Sequence, residues 1–266
     1  MRNLLKTDFF KLKRSKGFWI CAALCVLFGI MMVVAIQSDI RMEMRSENPN
    51  DREYMQALEM SKHTSAVWAL EQFLPTNFNA LIVGIFIAVF ITSEFSYGTI
   101  KNTLSRGADR TKVFCSKFFV CGVAAVIMQI LFIASMLTAG SIVWGYDPNG
   151  LSTPGGLISV ILTQILVIIG FAALFSFIST TIRANGGAIA LNILCATVIS
   201  TLFSALGMIL GIKVPINDYW IGGVVSKLAS VAPVSGDVLH GVLVVLAWGV
   251  ASMIAGTALF RKMDVK

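Results

Sequence analysis

Glu94 and Asp109 share one short polar interval with Lys101, Arg106, Arg110, Lys112 and Lys117. This is a polar, basic interval set between two long apolar runs, and the chemistry it offers is electrostatic. An acid among bases forms ion pairs that lower the cost of burying either partner. Glu94, at the edge of an apolar run, is the acid whose position calls for such pairing, and Lys101, Arg110 and Lys117 are its candidate partners. The alternative is a solvated carboxylate with no partner.

Elsewhere the reactive residues are sparse. Cys21 and Cys25 share a helix face at i, i+4 but have no histidine or third thiol nearby, so they read as small apolar packing residues. Met42, Met44, Met55 and Met60 with His63 are soft ligands at irregular spacing, which argues against a metal site. Asp237 and His240 stand together at the edge of an apolar run, as an interfacial cap or as a proton relay. The sequence has no G-x-x-x-x-G-K-[ST] phosphate loop, no H-E-x-x-H and no Ser/His/Asp set. It therefore predicts no catalytic residue, no metal and no cofactor in this chain.

The elements that position these residues follow from composition. The chain has 266 residues, 56% hydrophobic and 13% charged, where soluble domains carry roughly 25% charged residues. That composition excludes a single soluble core and predicts an all-α integral membrane protein. Apolar runs predict six transmembrane helices at 18–36, 75–92, 118–143, 157–180, 188–212 and 238–260. The first run, with its basic start, could pass for a signal peptide. Its length and the lack of a small-residue cleavage site make it a retained anchor.

Before it, residues 2–17 place Arg2, Lys6, Lys11, Lys13, Arg14 and Lys16 beside Leu5, Phe9 and Leu12 at helical spacing. They predict an amphipathic interfacial helix, the alternative being a basic tail that only sets orientation. Residues 38–74 form an acidic external interval with an Asn48-Pro-Asn-Asp51 turn and one amphipathic helix carrying Tyr54, Leu58, Val67, Leu70 and Phe73. The second span is expected to open at Pro75, a favoured first helical position. Trp144 and Tyr146 anchor the third span, and Asp147-Pro-Asn-Gly150 turns the chain after it. Residues 213–237, with Pro215, Tyr219, Trp220 and Pro233, form a second external interval. Its apolar middle, 221–231, is too short to span and suits a re-entrant element.

Fifteen of the twenty-one Lys and Arg fall on one side of this layout, which makes that side cytoplasmic and puts both termini there. The formal charge of +7 is explained by that bias rather than by nucleic acid, because the basic residues form no single polar domain. None of the five cysteines lies in an external segment, which argues against a disulfide framework. Gly207 and Gly211, and Ser252 and Gly256, are spaced for close helix approach, inside one subunit or between two. Within 93–117, Ser96-Tyr-Gly98 is a turn and Gly107 a helix stop, which leaves residues 99–106 as a short helix lying across the membrane face.

The order Glu94, Gly98-Thr99, Lys101-Asn102, Leu104-Ser105, Gly107, Arg110, Lys117 closely resembles the first cytoplasmic loop of ABC-2 type permeases. Those are membrane subunits of ATP-driven exporters, among them the small permeases of lantibiotic immunity and bacitracin-type resistance. The rest of the resemblance is architectural: a basic entry helix, six spans and an external segment before the last. It implies an ABC-2 permease fold over the single domain 1–266. It also implies that Gly98, Thr99, Ile100, Lys101, Asn102, Leu104, Arg106 and Gly107 couple the chain to a separate ATPase subunit. Glu94, Arg110 and Lys117 would form a cytoplasmic charge cluster.

The partners implied are two ATPase copies carrying ATP and Mg, a second permease subunit, identical or related, and membrane lipid, with no nucleic acid. The location implied is a bacterial cell membrane. Export of an amphipathic peptide or lipid-like antibiotic by alternating access is the function implied. Leu104-Ser-Arg-Gly107 looks like an ATPase signature loop, but without a phosphate loop the likeness is accidental. The rival readings are a non-transporting scaffold or sensor, and an ion-driven secondary transporter. The latter should carry acids at mid-span, where this sequence has none.

Overall fold

The computed structural model describes residues 2–44, 52–147, 154–210, 216–231 and 235–263. Every regular element among them is helical. Six helices are long and apolar enough to cross a membrane.

The chain enters through α1 (Arg2–Arg14). Ser15 accepts the Phe18 amide at 3.3 Å and starts α2 (Lys16–Glu43). This helix outlasts its apolar run. Gln37 accepts from the Trp144 indole and Ile40 is buried, so residues expected in the external interval are the last turns of the first span.

That interval then holds two helices where one was expected: α3 (Arg52–His63) and α4 (Ala66–Phe73). Ser65 separates them by capping α4, its hydroxyl accepting from the Trp68 amide at 3.1 Å. Ala66, Val67, Ala69 and Leu70 are buried, so α4 packs into the bundle against α7 rather than over its surface. The Asn48–Asp51 turn, the Tyr54 side chain, the turn residues 148–150, Pro215 and Pro233 lie outside the described residues.

Pro75 does not open the second span. It sits in a short 3-10 turn (Leu74–Thr76), and Asn77 takes a left-handed conformation, φ 56°, before α5 begins (Phe78–Ser96). After α5 come α6 (Thr99–Ser105) and α7 (Arg110–Trp144). Asp109 caps α7 by accepting from the Thr111 amide at 2.9 Å. The third span therefore begins eight positions earlier than hydropathy alone placed it, and Arg110 to Lys117 are helical, not loop. The fourth span is α8 (Pro154–Ile182). The fifth is built of α9 (Asn185–Ile193), a π turn (Leu194–Val198) and α10 (Ile199–Leu210). Helix α11 (Ile221–Leu228) is short and almost wholly buried, and α12 (Ser235–Lys262) closes the bundle.

Helices α5, α7 and α8 are the inner three, each with at least half of its most apolar stretch buried, while α10 buries no residue. Helix α2 packs along α7, and α12 along α8. Ser252 and Gly256 serve contacts within the subunit: Ser252 is buried, and a Cβ on Gly256 would fall 2.3 Å from the Phe114 ring. Gly207 faces open space.

At the end of the bundle remote from α6, Lys227 on α11 pairs with Asp218 at 2.6 Å and with Asp237 at 3.7 Å. The hydrogen bond to Asp218, with both carboxylates nearby, holds the Lys227 ammonium above the usual lysine range. His240 donates to the Asp218 carbonyl at 3.0 Å. Asp237 and His240 each engage the α11 region rather than forming a relay with one another.

Candidate functional site

The site is at the basic end, where α1, the end of α5, α6, the start of α7 and the end of α12 meet. Gly98 at φ 65° and Gly107 at φ 83° bracket α6. A Cβ at either would meet nothing within 4 Å, so backbone conformation and not space asks for glycine there. The Thr99 hydroxyl donates to the Glu94 carbonyl at 3.1 Å and the Asn102 amide to the Gly98 carbonyl at 3.1 Å, which fixes how the short helix leaves α5.

One side of α6 is rooted in a small apolar cluster. Ile100 is buried with Val113 and Phe114 of α7 and Phe260 of α12, and Leu104 packs on them half-buried. Ile100 is thus turned away from the surface that a soluble partner would meet. The other side carries Lys101, Asn102, Ser105, Arg106 and Gly107, all exposed. Thr99 is half-buried at the root.

Beneath α6 lies a buried ion network. Lys117 reaches Glu94 Oε2 at 2.5 Å and Asp8 Oδ1 at 2.5 Å. Ser116 donates to Asp8 Oδ2 at 2.7 Å, and Lys11, at the rim, reaches Glu94 Oε1 at 3.2 Å. All four carboxylate oxygens have a partner, which is the condition under which buried charges are tolerated. The Lys117 side chain is only 9% exposed. It sits seven residues into α7, about 10 Å along the helix, so its ammonium needs those acids. The network ties three elements through one side chain: α1 by Asp8, α5 by Glu94, and α7 by Lys117.

Of the partners expected for Glu94, Lys117 is the one found. Arg110 instead donates to the carbonyl oxygens of Arg261, at 3.3 Å, and Met263. Arg261 returns a bond to the Thr111 hydroxyl at 2.7 Å. Arg110 therefore caps the end of α12, whose last carbonyls lack helical partners. Lys101 points outward. The residue that sequence reasoning missed is Asp8. It sits with Leu5, Phe9 and Leu12 on the apolar stripe of a basic helix, and an acid on that stripe must meet a cation.

A cavity of about 540 Å³ opens between α1 and α6, with Asp8, Lys11, Glu94, Arg106 and Lys117 among its lining residues. Asn3, Thr7 and Thr103 add neutral polar groups, so it is a polar, charged groove. Among the described residues no group could hold a metal ion; the ion pairs join α1, α5 and α7, and the apolar cluster joins α6 to α7 and α12.

The model of the family described as ABC-2 family transporter protein matches residues 4–199. The matched stretch includes the ion network and α6 and ends at the first residue of α10. No curated protein matches the chain.

Proposed function

This chain belongs to the ABC-2 family of transporter proteins, and from that premise we propose that its basic end is the docking face for an ABC ATPase subunit and that the assembly is an exporter. The chain is a multi-pass membrane permease of an ABC transporter. The observation that carries the finer reading is the two-sidedness of α6: apolar residues root it inward while Lys101, Asn102, Ser105 and Arg106 stand outward.

In this reading ATP binding closes a pair of ATPase subunits, and their motion pushes α6. Rooted on α7 and α12, α6 passes the push to those helices directly and, through Glu94–Lys117–Asp8, to α5 and α1. The spans then reopen outward, by alternating access, with a second permease subunit completing the path. The cargo is an amphipathic compound drawn from the lipid, such as an antimicrobial peptide or a lipid-like antibiotic. Supporting this, apart from Glu94 and Lys117 of the ion network, the polar side chains buried on the spans among the described residues are amides and hydroxyls such as Asn79, Gln129, Thr163, Gln164 and Asn192.

The docking face is tested by Lys101→Glu combined with Arg106→Glu. Both side chains are exposed, so expression and thermal stability should hold. Co-purification of the ATPase subunit should fall sharply, with the loss deepest at low salt, and resistance of cells to the exported antibiotic should fall with it. Full assembly and full resistance in this variant would remove the docking role from α6.

The reading also places the basic end in the cytoplasm, following the excess of Lys and Arg there. A cysteine at Ala108 should be silent to an impermeant thiol reagent added outside intact cells, whereas one at exposed Met55 should react. The opposite pattern would invert the chain in the membrane.

A further inference from the structure

Four amide side chains converge on one point at the end of the bundle remote from the ion network. Asn77 and Asn79 come from the start of α5, Gln129 from α7 and Gln164 from α8, and with Phe132 and Phe171 they line a cavity of about 20 Å³. Asn77 is committed elsewhere, its Nδ2 donating to the Gly222 carbonyl at 3.1 Å. Asn79 Nδ2 donates to Gln129 Oε1. Of the remaining amide atoms, Asn79 Oδ1, an acceptor, and Gln164 Nε2, a donor, are each buried without a partner among the described residues. Their residues are 6% and 3% exposed.

Buried amide groups in apolar surroundings are costly unless hydrogen-bonded. The pair left over restricts what can satisfy it. A cation would answer the acceptor and repel the donor; an anion would do the reverse; an apolar group would answer neither. The occupant must both donate and accept, and it must be small, since a space of 10–15 Å³ of this kind suffices for about one water. Turning either amide over exchanges donor for acceptor, and an occupant that does both answers that arrangement too.

We propose that this cavity is a binding site for a single water molecule that accepts from Gln164 Nε2 and donates to Asn79 Oδ1. The water joins α5 to α8 and, through the Asn79–Gln129 bond, to α7. Helix α5 is then held at both ends by polar joints, by the water at its start and by Glu94 at its finish.

Hydroxyl-radical footprinting of the full chain in lipid nanodiscs tests the site, because radicals made from bound water mark the side chains beside it. Phe132 and Phe171 line the cavity and are 2% and 0% exposed; Phe175, on the same helix as Phe171, is 0% exposed and does not line it. Phe132 and Phe171 should be modified several-fold faster than Phe175, and Gln164→Met should abolish that excess without changing the Phe175 rate. The same substitution should lower the thermal midpoint, because it expels the water and leaves Asn79 Oδ1 buried without a partner. Equal rates at the three rings in the unaltered chain would overturn the site, with no variant needed. An excess that survives Gln164→Met, or a midpoint that rises because a dry amide has been removed, would overturn it as well.

Discussion

Lys117→Met should be the most destabilising single change at the basic end, lowering stability by about 3–5 kcal/mol, the range for breaking a buried ion pair by removing one partner. Methionine nearly matches the lysine stem, so little packing is lost; the charge is. Asp8 would keep only the Ser116 hydroxyl, and Glu94 only Lys11. Lys11 is 35% exposed, too wet to replace a buried ammonium in full.

The effect should be visible as a lower thermal midpoint in lipid nanodiscs and as faster tryptic cleavage within α1, which loses its one charged tether to α7. Neutralising the whole network, with Asp8→Asn, Glu94→Gln and Lys117→Met together, should recover much of the stability, because no charge is then left buried and unpaired. The triple variant separates the electrostatic account from simple intolerance of change. A midpoint and cleavage rate for Lys117→Met equal to the parent's would show that the network does not hold the helices together.

How much of this was readable beforehand depends on the kind of signal. The spans were legible because bilayer length and apolar composition are properties of contiguous sequence, and all six runs became helices. Their ends were not, because hydropathy stops where the environment changes and a helix stops where its backbone partners do. Helix α2 runs on to Glu43 past the apolar run that ends at Ile36, and α7 begins at Arg110 because Asp109 supplies a cap. The same error turned Arg110 to Lys117 into loop, and hid that Val113, Phe114, Ser116 and Lys117 share one inward helix face. That inward face brings Lys117 to Glu94, whereas Arg110, two turns earlier on the same side of α7, meets the end of α12 instead. Asp8 meets Lys117 across 109 positions of sequence. No local pattern encodes that meeting, although the acid on α1's apolar stripe announced that some cation had to come.

Ile100→Ala should separate holding the ATPase subunit from using it. Ile100 is 3% exposed and is the residue of α6 that enters the cluster of Val113, Phe114 and Phe260. Truncating a buried isoleucine costs about 2–5 kcal/mol in a packed core. Here the loss falls on a seven-residue helix that is too short to be stable alone. The six spans have their own core, to which Ile100 does not belong. Membrane insertion and the thermal midpoint of the bundle should therefore change little, while α6 loosens at its root. Its outward face is intact, so the ATPase subunit should still co-purify. What should fail is transmission: a helix that gives way under load cannot move α7 and α12, and ATP turnover should continue with export reduced several-fold. The check is to measure co-purified ATPase, ATP turnover and antibiotic resistance on the same variant. Loss of assembly in step with loss of resistance would mean that Ile100 shapes the docking face itself. Unchanged resistance would mean that force reaches the spans by some route other than the root of α6.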